Sequence, residues 1–542
     1  MSRNNRAMVA NGGWNREMVM KSGSRIGKFQ GRRGRICNFL WVFAAGVLAF
    51  PVLEVRCQAQ SPQKEKPAAE IKSSEEWQSM YLGKTRVGYL RSVTTPEMLE
   101  GKAVIRSRSE TALTIARFGQ KVKLRVVMES LETTDGEWLS FVSTMENPPS
   151  LSTRTEGRVE GEELVLTSTV GGKTSTRRQP WDRTLKSPAW QDRLLRDTVI
   201  EPGSEVKLQS FEPQFARPMT VTLKGLPPEE VTLLDGTRRK LGKIAVTQSL
   251  DPRTVQYSYF DDEQKTVKTQ TNMLGTEMVT WTVSRDEALR ELSGEDVDLA
   301  IATLIKTTKI EKSLETRRVV YRVKVAGEDP AQFLAEGPTQ KIRRIDPETV
   351  ELEVLSLKPG ETPEGLPRED VAERWSQPNK FLQSDDPLVV QLARKGVGSA
   401  ESPVDQAVAL ERWVRDNVKD KNFSTLMASA AEVAEKLSGD CTEHACLLAA
   451  MLRSRGVPSR VVVGLMYVPR DSAFGGHMWT EAFLNGVWVP LDGVLGQGRV
   501  GADHIKFLAS GLDDEAGDGF AAFVPVVSAL GQMKIEVVKV EH

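Results

Sequence analysis

The 542 residues carry 73 basic and 73 acidic side chains, so the formal net charge is zero. Residues 1–59 hold ten Lys or Arg and two Glu, which leaves 63 basic against 71 acidic residues and a net charge of −8 in the rest of the chain. An acidic main body argues against a nucleic-acid binder, which needs a basic face. A content of 39% hydrophobic and 27% charged residues is typical of globular proteins and not of disordered ones.

The first predicted element is a leader that directs export. Basic residues precede an apolar run of fifteen residues at 39–53, and this run is shorter than the ~20 residues of a spanning helix. The small residues Cys57 and Ala59 form a cleavage site of the A-x-A type. We therefore expect a signal peptide over residues 1–59 and a secreted or periplasmic protein. Left uncleaved, the same run would associate the chain with a membrane.

A polar linker at residues 60–74 is followed by a long region with a β-strand pattern. Residues 75–290 contain alternating segments such as LRVVMESL and KIAVTQSL, separated by turn pairs at Gly171-Gly172 and Asp235-Gly236. The pattern predicts an all-β antiparallel front domain built from hairpins in a strongly curved or barrel-like sheet.

Residues 291–380 are predicted to form a small β module with a linker. The segments TRRVVYRVKVAG at 316–327 and TVELEVLSL at 349–357 have the composition of strands. The pattern then becomes helical. Asp386-Pro387 predicts a helix start with its end at Gly396, and Ser402-Pro403 predicts a second helix start.

The positions of cysteine and histidine restrict where thiol chemistry can occur. Residues 58–440 contain neither residue type. Beyond the leader, the cysteines are Cys441 and Cys446, and the histidines are His444, His477, His504 and His542. Two cysteines five residues apart provide no disulfide framework. Any cysteine nucleophile, imidazole base or His/Cys metal site must therefore lie in the last hundred residues.

Cys441 is predicted to begin a helix. The apolar run that follows it ends at Gly456, Val457 and Pro458, which is a typical helix stop. At a helix N-terminus, the backbone N–H groups and the macrodipole favour an anion and therefore a reactive thiolate. Cys446 lies about 140° further round the helix among Ala and Leu, and we expect it to be a buried structural residue.

A predicted hairpin brings a histidine and an aspartate together. Asn485-Gly486 is a strong two-residue turn signal, and it predicts that Leu484 faces Val487. In this register His477 and Asp492 form a diagonal pair on one face, with backbones roughly 7–8 Å apart. The spacing therefore allows an imidazole–carboxylate hydrogen bond.

The segment closely resembles the transglutaminase-like (papain-related) superfamily over about residues 385–510. The residues that carry the resemblance are Gly439-Asp440-Cys441-Thr442-Glu443-His444-Ala445, Gly456-Val457-Pro458-Ser459-Arg460-Val461, His477-Met478-Trp479-Thr480-Glu481 and Trp488-Val489-Pro490-Leu491-Asp492. The resemblance implies an α+β, papain-like domain at 381–542 and a Cys–His–Asp triad. In that triad Cys441 is the nucleophile, His477 is the general base and then acid, and Asp492 orients His477.

Other interpretations of the same segment are weaker. His444 lies one helix turn from Cys441, too close to serve as its base with a substrate between them, so we expect a structural role. A metal site built from Cys441, His444, Cys446 and His504 lacks any usual zinc spacing. Residues 496–501 match G-x-G-x-x-G but lie in a predicted loop without a βαβ unit, which argues against a dinucleotide site.

Together these features predict an exported cysteine-dependent enzyme that transfers acyl groups from amide bonds of a protein or peptide substrate. Hydrolysis by a peptidase or amidase is the first expectation, and crosslinking to an amine is the variant. The prediction includes no cofactor and no metal. An alternative of another class is a non-catalytic adhesion or scaffold protein of the cell envelope that binds partners through its β-rich region.

Overall fold

A computed structural model describes residues 72–148, 150, 152–273, 275–292, 297–362, 371–419, 427–513 and 530–542. The predicted leader and most of the linker that follows it lie outside these residues. The described chain consists of a large antiparallel β region, a small β-sheet and a C-terminal domain of helices and strands. This arrangement confirms the predicted fold class.

The front sheet is defined by strands β1–β14, and all of its neighbouring strands are antiparallel. Two meanders, β1–β8 and β9–β14, are joined where β1 pairs with β14. The strands are β1 Ser74–Leu82, β2 Thr85–Leu99, β3 Lys102–Arg117, β4 Gln120–Thr133, β5 Trp138–Glu146, β6 Thr153–Glu160, β7 Glu163–Val170, β8 Lys173–Pro180, β9 Glu205–Glu212, β10 Arg217–Thr232, β11 Arg238–Gln248, β12 Asp251–Phe260, β13 Thr266–Met273 and β14 Thr276–Val283. The helix Pro188–Asp197 connects β8 to β9.

Side-chain alternation explains why these segments form strands. In β4, Val122 and Leu124 are buried, whereas Lys121 and Lys123 are exposed. A period of two directs one set of side chains to the core and the other to solvent. The hairpins predicted from turn residues follow this pattern, as at Gly171-Gly172 between β7 and β8.

The small sheet has the strand order β17-β18-β16-β23. Its strands are β16 Arg318–Val325, β17 Gln340–Asp346, β18 Thr349–Leu355 and β23 Met533–Glu541. The last strand of the chain thus pairs with β16 rather than with strands of the C-terminal domain, to which the sequence had assigned residues 381–542. The domain boundaries stay predictions, but the C-terminal segment closes the small sheet.

The C-terminal domain surrounds a helix that begins at the cysteine. This central helix is Cys441–Ser454, and its neighbours are Pro387–Val397, Pro403–Asn417 and Ala430–Lys436. A sheet of order β15-β20-β19-β22, with β21 paired to β20, packs against it. Its strands are β15 Ile305–Lys306, β19 Ser459–Val468, β20 Ala473–Leu484, β21 Val487–Leu491 and β22 His504–Ser510. The short helices are Arg285–Leu289, Leu299–Ala302, Ser313–Glu315, Pro330–Gln332 and Glu373–Trp375.

Helix starts follow the predicted capping residues. The Asp386 side chain accepts from the N–H groups of Leu388 and Val389, and Ser402 accepts from the N–H of Asp405. The first helix continues one residue beyond the predicted stop, because Gly398 rather than Gly396 adopts the positive φ of a helix end.

Two hairpin turns of the front sheet contact the C-terminal domain. Phe118, in the β3–β4 turn, and Val170, at the β7–β8 turn, pack into the hydrophobic core that contains the central helix. Lys173 adds an ion pair with Asp385 at 3.0 Å. The front sheet therefore packs directly against the domain that carries the cysteine.

The search for membrane-spanning helices covered the described residues. None of the helices in this part of the chain has the length and apolar character that crossing a membrane requires.

Candidate active site

Cys441 is the first residue of the central helix, as predicted. Asp440 is the N-cap: its carboxylate accepts from the N–H of Thr442 at 3.0 Å, and its own N–H donates to Glu443 at 2.8 Å. This reciprocal capping box satisfies backbone donors that a helix start otherwise leaves unpaired. Gly439 has a φ of 148°, and a side chain there would collide with Glu443. The turn immediately before the cysteine therefore requires glycine at position 439.

His477 and Asp492 meet through the predicted hairpin. Leu484 pairs with Val487, and the ladder continues to Thr480 opposite Leu491, which confirms the register. His477 Nε2 lies 2.8 Å from Asp492 Oδ2, and both side chains are buried. The Asn485-Gly486 turn thus brings together an imidazole and a carboxylate fifteen residues apart.

The Cys441 thiol lies near the same imidazole and contributes to raising its pKa. Among the described residues, His477 Nδ1 has no hydrogen-bond partner of normal geometry, so this nitrogen is available to the thiol. Burial opposes a charge on His477, but the Asp492 carboxylate and the Cys441 thiol outweigh it and raise the pKa of His477 to about 10. The ring therefore carries a proton at neutral pH.

A second histidine contacts the same oxygen of the Asp492 carboxylate. His504 Nε2 lies 3.4 Å from Asp492 Oδ2, and His504 Nδ1 lies 2.8 Å from Asp503 Oδ1. Burial opposes ionisation of both Asp492 and His504. His477 and, to a smaller extent, His504 nevertheless lower the pKa of Asp492, and Asp503 together with Asp492 raises that of His504. The result is a buried chain of alternating imidazoles and carboxylates that begins at the thiol.

The loop after Asp492 is anchored by a buried glutamate. Glu411, on the helix Pro403–Asn417, accepts from the N–H of Asp492 at 2.9 Å and from the N–H of Gly498 at 2.8 Å. Burial raises the pKa of Glu411 to about 7, with the Asp492 charge adding to the effect against the two hydrogen bonds. Glu411 therefore anchors both the backbone of Asp492 and the glycine-rich segment at 496–501, which is a loop, as predicted.

Two further residues of the motif have structural roles. Glu481 is buried between Arg460 and Lys506, both at 2.7 Å, and these cations overcome burial and lower the pKa of Glu481 to about 2. Trp479 stacks on His477, with ring centroids 6.1 Å apart and an interplanar angle of 23°. The indole thus covers one face of the imidazole.

The remaining sulfur and imidazole near Cys441 agree with the predicted structural roles. Burial raises the pKa of the Cys446 thiol well above its usual value, which makes it a poor nucleophile. His444 Nδ1 contacts the backbone carbonyl of Asp440 within the first helix turn. Cys441 thus remains the thiol of this segment that contacts the His477 imidazole.

All three predicted site residues are enclosed. Cys441 and Asp492 are 1% exposed, and His477 is 0% exposed. Enclosure strengthens the electrostatic interactions inside the site, because the local dielectric constant is low.

One group of side chains within the described residues has a spacing that could hold a metal ion. The nearest ligand atoms of His477, Asp492 and His504 lie within 4.8 Å of one another. Both rings direct Nε2 at the same carboxylate oxygen. Hydrogen bonding alone accounts for this grouping, so it requires no metal.

Sequence reasoning missed the residues that support the site from a distance. Asp503, His504 and Glu411 contact or extend the His477–Asp492 pair, but only His504 had been considered, as a zinc ligand. The one signal that the sequence offered is an acidic residue, Glu411, on an otherwise apolar helix face; the structure shows that this residue is buried.

Comparisons with known proteins find relatives of the C-terminal domain. Residues 390–493 match the model of the transglutaminase-like superfamily. The uncharacterized protein ML0607 of Mycobacterium leprae is 29% identical over 101 residues, which are 17% of this chain. The match covers 36% of that relative, about a third of its length.

Two solved structures resemble parts of the chain. The periplasmic domain of TgpA from Pseudomonas aeruginosa, bound to ethylmercury, is 15% identical with a TM-score of 0.21, covering 34% of this chain and 91% of that one. A β-barrel-like protein of the domain of unknown function DUF1849 from Brucella abortus is 10% identical with a TM-score of 0.28, covering 39% of this chain and 96% of that one.

Proposed function

We propose that the transglutaminase-like domain of this chain, matched over residues 390–493, is a cysteine-dependent enzyme that cleaves amide bonds by acyl transfer. The observation that carries the proposal is the position of His477, which is hydrogen-bonded to Asp492 at 2.8 Å and lies near enough to the Cys441 thiol to interact with it electrostatically. A sulfur, an imidazole and a carboxylate in this order form the arrangement that activates a thiol nucleophile.

The first chemical step is attack by the thiolate. In the resting site His477 already holds the proton of Cys441 as an imidazolium, because Asp492 stabilises the charged ring. The thiolate then attacks the amide carbonyl carbon, and the carbonyl π electrons move onto oxygen. The N–H of Cys441, at the positive end of the central helix, is the donor that we assign to this oxyanion.

The second step releases the amine and regenerates the enzyme. His477 donates its proton to the leaving nitrogen as the C–N bond breaks, which leaves an acyl thioester on Cys441. Neutral His477 then removes a proton from water as the water oxygen attacks the thioester carbonyl. The C–S bond breaks, the acyl group leaves as a carboxylic acid, and the Cys441 thiolate and the His477 imidazolium are restored. Water gives hydrolysis and an incoming amine gives a crosslink. We favour hydrolysis because water is abundant outside the cell.

The proposed substrate is a protein or peptide in the compartment to which the leader directs the chain. Export rests on the basic residues and the apolar run of the leader, and on the cleavage site that ends at Ala59.

The test is labelling by a thiol-directed inhibitor that mimics an amide. Wild-type protein and Cys446→Ala should be labelled, whereas Cys441→Ala should not be, with equal far-ultraviolet circular dichroism in all three. Loss of labelling in His477→Gln would extend the result to the proposed base. Retained labelling of Cys441→Ala, or an inert Cys441 in the wild type, would instead support a non-catalytic protein.

A further inference from the structure

A buried ion pair links the front sheet to the start of the central helix. Arg117 is the last residue of β3, and its Nη2 lies 2.7 Å from Oδ2 of Asp440, the residue immediately before Cys441. The two side chains are 1% and 0% exposed. More than three hundred residues separate them in the chain, so only the packing of the front sheet against the C-terminal domain creates this contact.

Asp440 holds the first turn of the central helix in place. One carboxylate oxygen accepts from the N–H and the hydroxyl of Thr442, at 3.0 and 2.9 Å, while the other faces Arg117. Glu443 receives the N–H of Asp440 at 2.8 Å and that of Ala428 at 2.9 Å. The conformation of Cys441 therefore depends on a cap that Arg117 completes.

The cap creates an electrostatic conflict for the adjacent thiol. A carboxylate one residue from Cys441 stabilises the helix start, but it also repels a thiolate at the same position. Burial, together with the Asp440 charge, raises the pKa of Glu443 well above its usual value, so a second negative charge on Glu443 is disfavoured beside Asp440. Asp440 is therefore the anion that must be compensated.

We propose that Arg117 is a positioning residue of the Cys441 site. Through Arg117, the front sheet supplies the cation that allows Asp440 to cap the helix without suppressing the Cys441 thiolate. The inference rests on the proposed function and deepens it. Among the described residues, the charged or titratable groups that contact this helix start include Arg117 from the sheet, His477 from β20, and Asp440, Glu443 and His444 from the cap and first turn. Within this set Arg117 is the cation paired with the cap.

The proposal makes the front sheet a part of the active site. A detachable binding module would contact the enzyme domain through surface residues, whereas Arg117 lies in the interior. An ion pair excluded from water is also weakly screened by salt, so its effect on the thiolate should persist at high ionic strength.

The test is a titration of the Cys441 thiolate by its ultraviolet absorbance in the full chain, with Cys441→Ala as the blank. This readout does not require a reagent to enter the enclosed site. Arg117→Met leaves the Asp440 charge uncompensated and should raise the titration midpoint by about one pH unit or more. Asp440→Asn keeps a capping side chain and leaves Arg117 in place, so it should lower the midpoint. The double variant should return close to the wild-type value.

Lys173→Met provides the matched control. It also removes a cation that joins the front sheet to the C-terminal domain, but its partner Asp385 is exposed and the pair lies on the surface. We expect no change in the thiolate midpoint for this variant.

Opposite shifts in the two single variants support the proposal. A merely structural role would lower the unfolding midpoint and leave the thiolate titration of the folded protein unchanged, and that result overturns it. If Arg117→Met fails to fold, the lowered thiolate midpoint expected for Asp440→Asn tests the proposal by itself. A wild-type thiol that titrates near the ordinary value of about 8.5 contradicts the proposed function itself, whatever the variants do.

Discussion

Replacement of Asp492 by asparagine isolates the effect of the carboxylate on His477. The amide has nearly the shape of the carboxylate, so its oxygen can still accept from the N–H of Val494 or from the His477 ring. The negative charge is lost, and burial, which lowers the pKa of His477, is then opposed only by Cys441. We expect that pKa to fall from about 10 to its ordinary value of 6.5 or below.

The size of this change can be worked out from the site. A fall in pKa from about 10 to about 6.5 corresponds to about 5 kcal/mol, at about 1.4 kcal/mol for each tenfold change in proton affinity. At neutral pH the variant ring would be mostly neutral, and the thiolate would lose its imidazolium partner. A ring of pKa about 6.5 holds the proton of an ordinary thiol, of pKa about 8.5, in only about 1% of molecules, so labelling of Cys441 should slow by about a hundredfold.

Nuclear magnetic resonance of ring-labelled histidine measures the predicted pKa directly. The chain has four histidines, and His477→Gln assigns the signal of interest. Asp503→Asn is the matched control. Asp503 contacts His504 and raises the pKa of that ring, so the substitution should lower the pKa of His504 with little effect on His477. A His477 signal that still titrates near pH 10 in Asp492→Asn would refute the role of this carboxylate.

Three further predictions concern stability, each measured by urea denaturation. The folded-state pKa of His477 lies above 6.5, so its contribution to the free energy of unfolding is complete below about pH 6.5. That contribution is lost as the pH rises towards about 10, at about 1.4 kcal/mol per pH unit. His477→Gln should lack this slope. Glu411→Gln can still accept from one of its two backbone donors but leaves the other unpaired, which should cost about 1–3 kcal/mol; an unchanged midpoint would contradict the anchoring role. In Gly464→Ala the new methyl group would collide with the Ile505 carbonyl and the Trp479 ring, which should destabilise the protein by about 1–3 kcal/mol; wild-type stability would show that β19 can shift freely.

Local sequence signals predicted the parts of the site that lie close together in the chain. The apolar run and its stop after Arg455 placed Cys441 at a helix start, and the Asn485-Gly486 turn set the register that brings His477 to Asp492. Both depend on interactions within a few residues, namely capping hydrogen bonds and hairpin pairing. Such interactions leave a pattern that a single sequence can show.

The more distant supports left no such pattern. Arg117 lies at the end of a strand whose alternation is ordinary, and its sequence resembles that of any exposed β-hairpin end. Its burial follows from the docking of the β3–β4 turn, which periodicity cannot predict. His504 similarly reaches Asp492, and Asp503 reaches His504, only because β22 pairs with β19, the strand next to β20.

The sequence by itself determined that a cysteine at a helix start, a histidine and an aspartate in one hairpin, and an antiparallel β-rich front region belong to this protein, because each follows from short-range backbone and side-chain preferences. The tertiary structure alone decided that the sulfur contacts the imidazole, that a second histidine backs the carboxylate, and that a strand of the front sheet places Arg117 against the helix cap. These contacts join segments far apart in the chain, and the burial of apolar surface between sheets and helices, rather than any local preference, brings them together.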